Sequence, residues 1–308
     1  MSKGIVDLHD LYHLDNLELI AKQVVEGFII GLHKSPFHGF SVEFAEHRIY
    51  NNGDPIKDID WKVFGKTDRL YIKKFEEETN LRCEIILDTS SSMYYPEIKQ
   101  AGDINKMRFS LIAAASIMHL LKNQRDAVGV TLFSDRIEWQ VRARSHNIHH
   151  RLIMNNLEGL MDATEKNKRT NAAESIHHVA ESVHKRSLVV IFSDMIDDLD
   201  NLEDIFASLQ HLRYNKHEVI LFHVVDKRKE FDFDFENRPY TFVDLETGEK
   251  VKLQPSQVKE HYTDQMYKFR KELKLKCAQY RIDFVEADIA QDYMQVLLAY
   301  LVKRKKMK

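Results

Sequence analysis

The stretch Asp88-Thr89-Ser90-Ser91-Ser92 places one carboxylate and two hydroxyls at alternate positions. Alternate side chains of a loop can turn to one side, so Asp88, Ser90 and Ser92 can converge on a small oxygen-loving cation such as Mg2+. Serine and aspartate clusters also build plain turns, so a metal reading needs further ligands. Thr170 and Asp194 offer them, as a hydroxyl at the start of one predicted helix and a carboxylate at the end of one predicted strand. Asp54, Asp58 and Asp60 form a second acidic group. They either hold an ion and position water, as in a Mg2+-dependent phosphoesterase, or pair with Arg48, Lys57 and Lys62 in turns, which is the simpler reading.

Other chemistries lack their frames. The sixteen histidines include His146, His149 and His150, and His177 with His178. None has the spacing of a zinc motif with further ligands, so they read as surface or helix-face residues. Cys83 opens a strand without a Cys or His neighbour at useful spacing, against a catalytic thiol. Ser91 lacks the G-x-S-x-G frame of a nucleophile elbow. There is no G-x-x-x-x-G-K-[ST] loop, so an ATP-driven step would belong to another protein.

Positioning the rim groups requires strands that run out into loops at one edge of a sheet. Leu17, Ile20, Ala21, Val24, Val25 and Phe28 have helical spacing and predict an amphipathic helix from about Leu14 to Ile30. From Gly31 to Thr79 glycine, proline, aromatic and charged residues take over. Asn52-Gly53-Asp54-Pro55 is a turn by composition, Leu70–Phe75 alternates like a strand, and Trp61 reads as a packing anchor against the following domain. Beyond residue 80 strands and helices alternate. Strand Cys83–Leu87 leads to helix Lys106–Lys122, then to strands Ala127–Phe133 and Ile137–Val141 as a hairpin around Ser134-Asp135-Arg136. Helices follow near Ile148–Leu160 and Ala172–His184, then strand Leu188–Phe192, helix Leu202–Leu212 and strand Val219–Val225. Helix Val258–Tyr280, strand Ile282–Val285 and helix Tyr293–Val302 close the chain. An insertion near 231–253 carries a second hairpin, Thr241–Leu245 and Lys250–Leu253.

Continuous apolar strands between helices predict an α/β fold, a doubly wound, mostly parallel sheet spanning residues 80–308 and covered on both faces. Residues 1–79 add an N-terminal helix and a β-rich charged segment. In such a sheet ligands bind beyond the carboxyl ends of the strands. Asp88, Ser90, Ser92, Thr170 and Asp194 would meet there, two carboxylates and three hydroxyls that suit a hard cation with open coordination positions.

Composition excludes little else. A chain of 308 residues, 44% hydrophobic and 30% charged, can bury a full core, and a formal net charge of −3 gives no global signal for nucleic acid or a membrane surface. The terminal Lys303-Arg304-Lys305-Lys306 reads as a solvated tail. Two cysteines point to a reducing compartment. Acids and histidines interrupt the N-terminus where a signal peptide needs an apolar core, and no stretch reaches the ~18 apolar residues of a membrane span. A cytoplasmic protein without a membrane span is expected.

The order strand, Asp-x-Ser-x-Ser, later threonine, later strand ending in aspartate resembles a von Willebrand factor A domain with a metal-ion-dependent adhesion site. The resemblance implies a Rossmann-like fold and a Mg2+ ion, replaceable by Mn2+ or Ca2+. Asp88, Ser90, Ser92, Thr170 and Asp194 would hold it, with a carboxylate from a partner completing the octahedron. Two positions depart from the family pattern. Lys168-Arg169 stand where glycines often precede the threonine, and Met195 stands where glycine often follows the aspartate. Thr164 is therefore an alternative to Thr170.

Phe44-Ala45-Glu46-His47-Arg48-Ile49-Tyr50, Gly53 to Trp61, Leu70 to Glu78 and Phe242 to Glu249 resemble the domain of unknown function fifty-eight family. That family joins such a charged segment to a von Willebrand A-like domain and is commonly encoded beside MoxR-type AAA+ ATPases. The resemblance implies a non-enzymatic, Mg2+-dependent binding module that acts with a MoxR-type ATPase on an acidic protein client, in maturation, metal insertion or stress tolerance. The alternative is a metal-dependent hydrolase using Asp88 and Asp194, or Asp54, Asp58 and Asp60, for which no general base or transition-state clamp is identifiable.

Overall fold

A computed structural model describes residues 16–34, 47–49, 61–73, 81–100, 102–163, 168–196 and 202–307. The turn 52–55, Asp54, Asp58, Asp60 and Thr164 lie outside the described residues, as does residue 75 at the end of the expected strand. The chain divides into two compact units, one of residues 29–80 and one holding residues up to 28 together with 81 onward. In the smaller unit, β1 (His47–Ile49) pairs antiparallel with β2 (Tyr71–Lys73), and α2 (Trp61–Thr67) lies between them in sequence. Trp61 meets Phe64 edge-on at 6.0 Å and is 59% exposed.

The larger unit is built on a six-stranded sheet. Its strands are β3 (Arg82–Asp88), β4 (Ala127–Phe133), β5 (Ile137–Arg144), β6 (Leu188–Ser193), β7 (Glu218–Val225) and β10 (Asp283–Asp288), in the order β10-β7-β6-β3-β4-β5. Every pairing is parallel except that of the edge strand β5, which returns antiparallel beside β4. The composition of each strand explains its place. All six residues of β6 are buried, as are Cys83–Asp88 of β3 and Val219–Val225 of β7, because β-branched and aromatic residues there face a helical layer on each side. The edge strand β5 instead interleaves exposed residues with half-buried ones.

Helices α5 (Ala172–Ser182), α6 (Leu202–Tyr214) and α7 (Pro255–Gln279) cover one face, packing Ile176, Val179, Leu209, Leu273 and Cys277 onto Val189, Ile191, Val219 and Leu221. Helix α3 (Lys106–Asn123) meets β3, β4 and β7 and is flanked by α4 (Asn147–Glu158) and α8 (Met294–Met307). It is apolar on nearly every side, and Phe109 stacks on Tyr293 at 4.8 Å. The opening helix α1 (Leu17–Lys34) is tied down at its start, where Leu17 N donates to Glu158 and Lys122 pairs with Glu18. The insertion forms the hairpin of β8 (Tyr240–Val243) and β9 (Lys250–Leu253).

Two expectations hold only in part. The terminal basic run is a solvated tail only at its end, where Lys305 and Lys306 are exposed. Lys303 and Arg304 are buried, Lys303 between Glu218 and Asp283 at 2.7 and 3.1 Å, and Arg304 on Asp126 and the Tyr300 hydroxyl. Helical spacing puts them on the face that carries Val296, Leu297 and Tyr300 into the core. Of the histidines expected on the surface or on helix faces, His149 and His150 lie on the inner face of helix α4 and not at the surface. Both are buried, and His149 Nε2 donates to Val128 O at 2.8 Å. Burial pushes the His150 imidazole down to about 4.

Candidate metal centre at the carboxyl rim

Leaving β3, the chain continues to β4 and β5 on one side; it then returns to β6 on the other side of β3 and continues to β7 and β10. The strand order therefore switches between β3 and β6, and such a divergence opens a crevice beyond the strand ends. Leu87 pairs with Phe192, so Asp88 closes β3 opposite Ser193, and Asp194 follows one residue later.

Asp88 is fully buried. Its Oδ1 accepts from Ser90 N at 2.9 Å and its Oδ2 from Ser193 Oγ at 2.7 Å. Burial, with the Asp194 charge beside it, raises its pKa. The loop turns at once into one 3-10 turn, Ser91–Tyr94, which brings Ser90 Oγ and Ser92 Oγ to 3.1 Å of each other. Thr89 points the other way, and both its N–H and its hydroxyl donate to Phe133 O. Ser91 N donates to Lys168 O and Lys168 N donates to Ser91 Oγ, which stitches the loop to the chain just before Thr170.

Asp194 is equally buried, and although burial raises its pKa, the Lys106 ammonium and the Ser92 hydroxyl together hold it below the usual carboxylate range. Met195 follows with φ 52, in the left-handed region that favours glycine. Met195 thus holds a backbone conformation that glycine adopts more readily. His223 Nε2 donates to Asp194 O at 2.8 Å, and burial keeps that imidazole neutral, near a pKa of about 4.

Asp88, Ser90, Ser92 and Asp194 thus meet at one rim. Thr170 lines the same cleft, about 1070 Å³ in volume, together with Ser92, Lys106 and Glu230. Its side chain, however, is engaged by the hairpin. Thr170 Oγ1 donates to Glu246 Oε1 at 3.0 Å and Thr170 N to Glu246 Oε2 at 3.2 Å.

Three residues that the motif reading did not single out complete the rim. Lys106, the first residue of α3, is 1% exposed and reaches Asp194 Oδ2 at 2.8 Å and Glu230 Oε1 at 2.5 Å. Burial opposes its charge, yet the Asp194 and Glu230 carboxylates outweigh that and raise its pKa. Glu230 lies in the π-turn Lys227–Phe231 after β7, and burial raises its pKa despite Lys106. A signal for Lys106 existed in the sequence. A cation in the first turn of a helix opposes the helix dipole, so a lysine directly after the N-cap Asn105 calls for an anionic partner. Glu230 had none, since it stands in a charged stretch, and Glu246 stood out only as part of the family-like stretch Phe242–Glu249, with nothing local to tie it to the rim.

The donors fit a hard cation and no soft one, because all are oxygens. Among the described residues no group of three or more His, Cys, Asp and Glu side chains is placed to hold a metal. A cation at this rim would rest on Asp88 and Asp194 with the hydroxyls of Ser90 and Ser92. Charge bears on it as well, since the buried Lys106 ammonium pairs with Asp194 and Glu230, while Asp88 lies buried beside Asp194. Among the described residues no helix is long and apolar enough to cross a membrane.

Uncharacterized protein Rv1480 of Mycobacterium tuberculosis and uncharacterized protein Mb1516 of Mycobacterium bovis are each 24% identical to this chain over 215 residues. The match covers 70% of this chain and 65% of each relative, so the chain spans somewhat under two thirds of their length. Among solved structures, an aerotolerance-related membrane protein from Bacteroides fragilis aligns with a TM-score of 0.45 and 14% identity, over 72% of this chain and 99% of that one. The conserved hypothetical protein BatB from Bacteroides thetaiotaomicron aligns with a TM-score of 0.41 and 15% identity, over 74% and 98%. Residues 46–272, most of the chain and nearly all of the central sheet with its rim, match the protein family of unknown function DUF58, and the chain belongs to that family.

Proposed function

We propose that this protein is a Mg2+-dependent protein-binding adaptor with a von Willebrand A-like domain, whose adhesion site captures an acidic side chain of a partner. The observation that carries the reading is the pairing of two fully buried carboxylates, Asp88 and Asp194, across the strand-order switch, with the Ser90 and Ser92 hydroxyls 3.1 Å apart beside them. A buried carboxylate is costly unless it is paired or protonated; Lys106 pairs with Asp194 and Glu230, while Asp88 is held by Ser90 N and Ser193 Oγ. A bound Mg2+ would add positive charge and offer open positions to an outside carboxylate.

This chain's residues divide the work. Asp88 and Asp194 provide negative charge, and the serine hydroxyls provide neutral oxygens that leave affinity for one more anion. Ser193 and Ser90 N–H hold the Asp88 carboxylate in place. Lys106 fixes Asp194 from the α3 side. By family resemblance, the partners are a MoxR-type AAA+ ATPase and an acidic client protein on which it acts. Mg2+ titration calorimetry and capture from cell extract test the reading together. Wild type should bind Mg2+ and retain an AAA+ ATPase or acidic client only with Mg2+ present, and Asp88→Ala should lose both while remaining folded. Capture of the same proteins in chelator overturns it. Phosphoesterase turnover lost in Asp88→Ala would replace the adaptor with a hydrolase.

A further inference from the structure

The hairpin beside the rim presents a carboxylate to it from a braced arm. Phe233 anchors the base, stacking on Phe242 at 5.8 Å and packing on Tyr262 of α7 at 4.6 Å. At the tip, Asp244 Oδ1 accepts from Glu246 N and Thr247 N, Oδ2 accepts from the Thr247 hydroxyl, and Gly248, with φ 76, closes the turn onto Asp244 O. This self-contained turn carries Glu246 to Thr170, a contact between residues 76 apart in the chain. Both Glu246 oxygens are taken by Thr170, one by its hydroxyl and one by its backbone N–H. The carboxylate sits on the lining of the cleft that also exposes Ser92.

We infer that Glu246 is an internal ligand of the rim, holding the place that a partner's acidic side chain would take, so that capture requires the hairpin to release Thr170. The inference rests on the cation-binding reading of the rim given above. Its physical content is competition. A competitor tethered to the same fold lowers the fraction of molecules open to an outside carboxylate, and apparent affinity falls by that fraction. The partner must therefore bring contacts beyond one carboxylate, or another event must lift the hairpin.

The test compares wild type, Glu246→Gln, Glu249→Gln and Asp88→Ala. Glu249 is an exposed carboxylate on the same hairpin, so its loss removes equal charge without touching Thr170. The probes are Mg2+ alone and then N-acetylglutamate N-methylamide at saturating Mg2+, followed by calorimetry. Amide hydrogen exchange at Thr170 is read without metal. Glu246→Gln should bind the glutamate probe about tenfold more tightly than wild type, with faster exchange at Thr170, while Glu249→Gln matches wild type in both. Equal probe affinity in wild type and Glu246→Gln, with Mg2+ still bound and Asp88 still required, leaves the cation site standing and overturns the internal ligand. Mg2+ binding to none of the proteins overturns the site and the internal ligand together.

Discussion

Glu84 lies within β3, 5% exposed, its carboxylate accepting from Ala143 N of β5 at 3.2 Å in space left by Gly129. A Cβ at position 129 would stand 2.1 Å from Glu84 Oε2 and 2.7 Å from Ala143 N. The second contact is backbone and cannot swing aside, so Gly129→Ala should cost about 1–3 kcal/mol by overpacking, measured by urea unfolding. Burial raises the Glu84 pKa to about 7. Because the folded value lies above the unfolded one, this group's contribution is complete below the unfolded pKa and is lost as pH rises through about 7. Glu84→Gln keeps an acceptor for Ala143 N without the buried charge. Its melting midpoint should match wild type near pH 5 and exceed it near pH 8, and an equal offset at both values would refute the assignment. The same burial divides what the sequence could reveal. Asp88, Ser90, Ser92 and Asp194 were legible because their spacing and their places after apolar strands are local facts. Lys106, Glu230 and Glu246 reach the rim from α3, the π-turn and the hairpin, so only the tertiary fold brings them there.

Helix α8 shows how an element hides its role in its composition. Its basic end reads as solvent-facing, yet Arg304 is buried against Asp126, whose Oδ1 also accepts from Leu81 N at the start of β3. Arg304→Met removes the guanidinium that bridges the buried Asp126 carboxylate and the Tyr300 hydroxyl, and should destabilise the fold by about 3–5 kcal/mol. Lys306→Met, on the exposed side of the same turn, should stay within about 0.5 kcal/mol of wild type. Similar losses in both variants would mean that net charge, not the buried pair, matters. Strands β3, β6 and β7 were legible because burial on both faces demands continuous apolar runs. Strand β10 was expected to end at Val285 but runs to Asp288, since Glu286 and Asp288 mask its second half. Glu286 pairs with Arg270 of α7, a contact invisible to any local pattern.

At the scale of the larger unit, alternating strands and helices implied a mostly parallel sheet, but the order β10-β7-β6-β3-β4-β5 depends on which edge each crossover takes. That choice puts Asp88 and Asp194 on neighbouring strands at the switch, and it turns two scattered motifs into one rim. A cation bound there, as proposed, would tie β3 to β6, which are adjacent in the sheet but separated by about a hundred residues of chain, Asp88 to Asp194. A ligand that binds only the folded chain stabilises it by about 2.7 kcal/mol at a hundredfold excess over its Kd. In a unit of this size that corresponds to a rise of roughly 5–10 °C in melting midpoint. Asp88→Asn retains an acceptor for Ser90 N and removes a buried charge next to Asp194, so in chelator it should melt at or above wild type. On adding Mg2+ the wild-type midpoint should climb past a variant that does not respond. The crossing of the two curves is the signature of a site whose carboxylate burdens the empty fold and strengthens the filled one. A wild-type midpoint that stays flat across millimolar Mg2+ would show that these carboxylates are buried for packing and polar contacts alone.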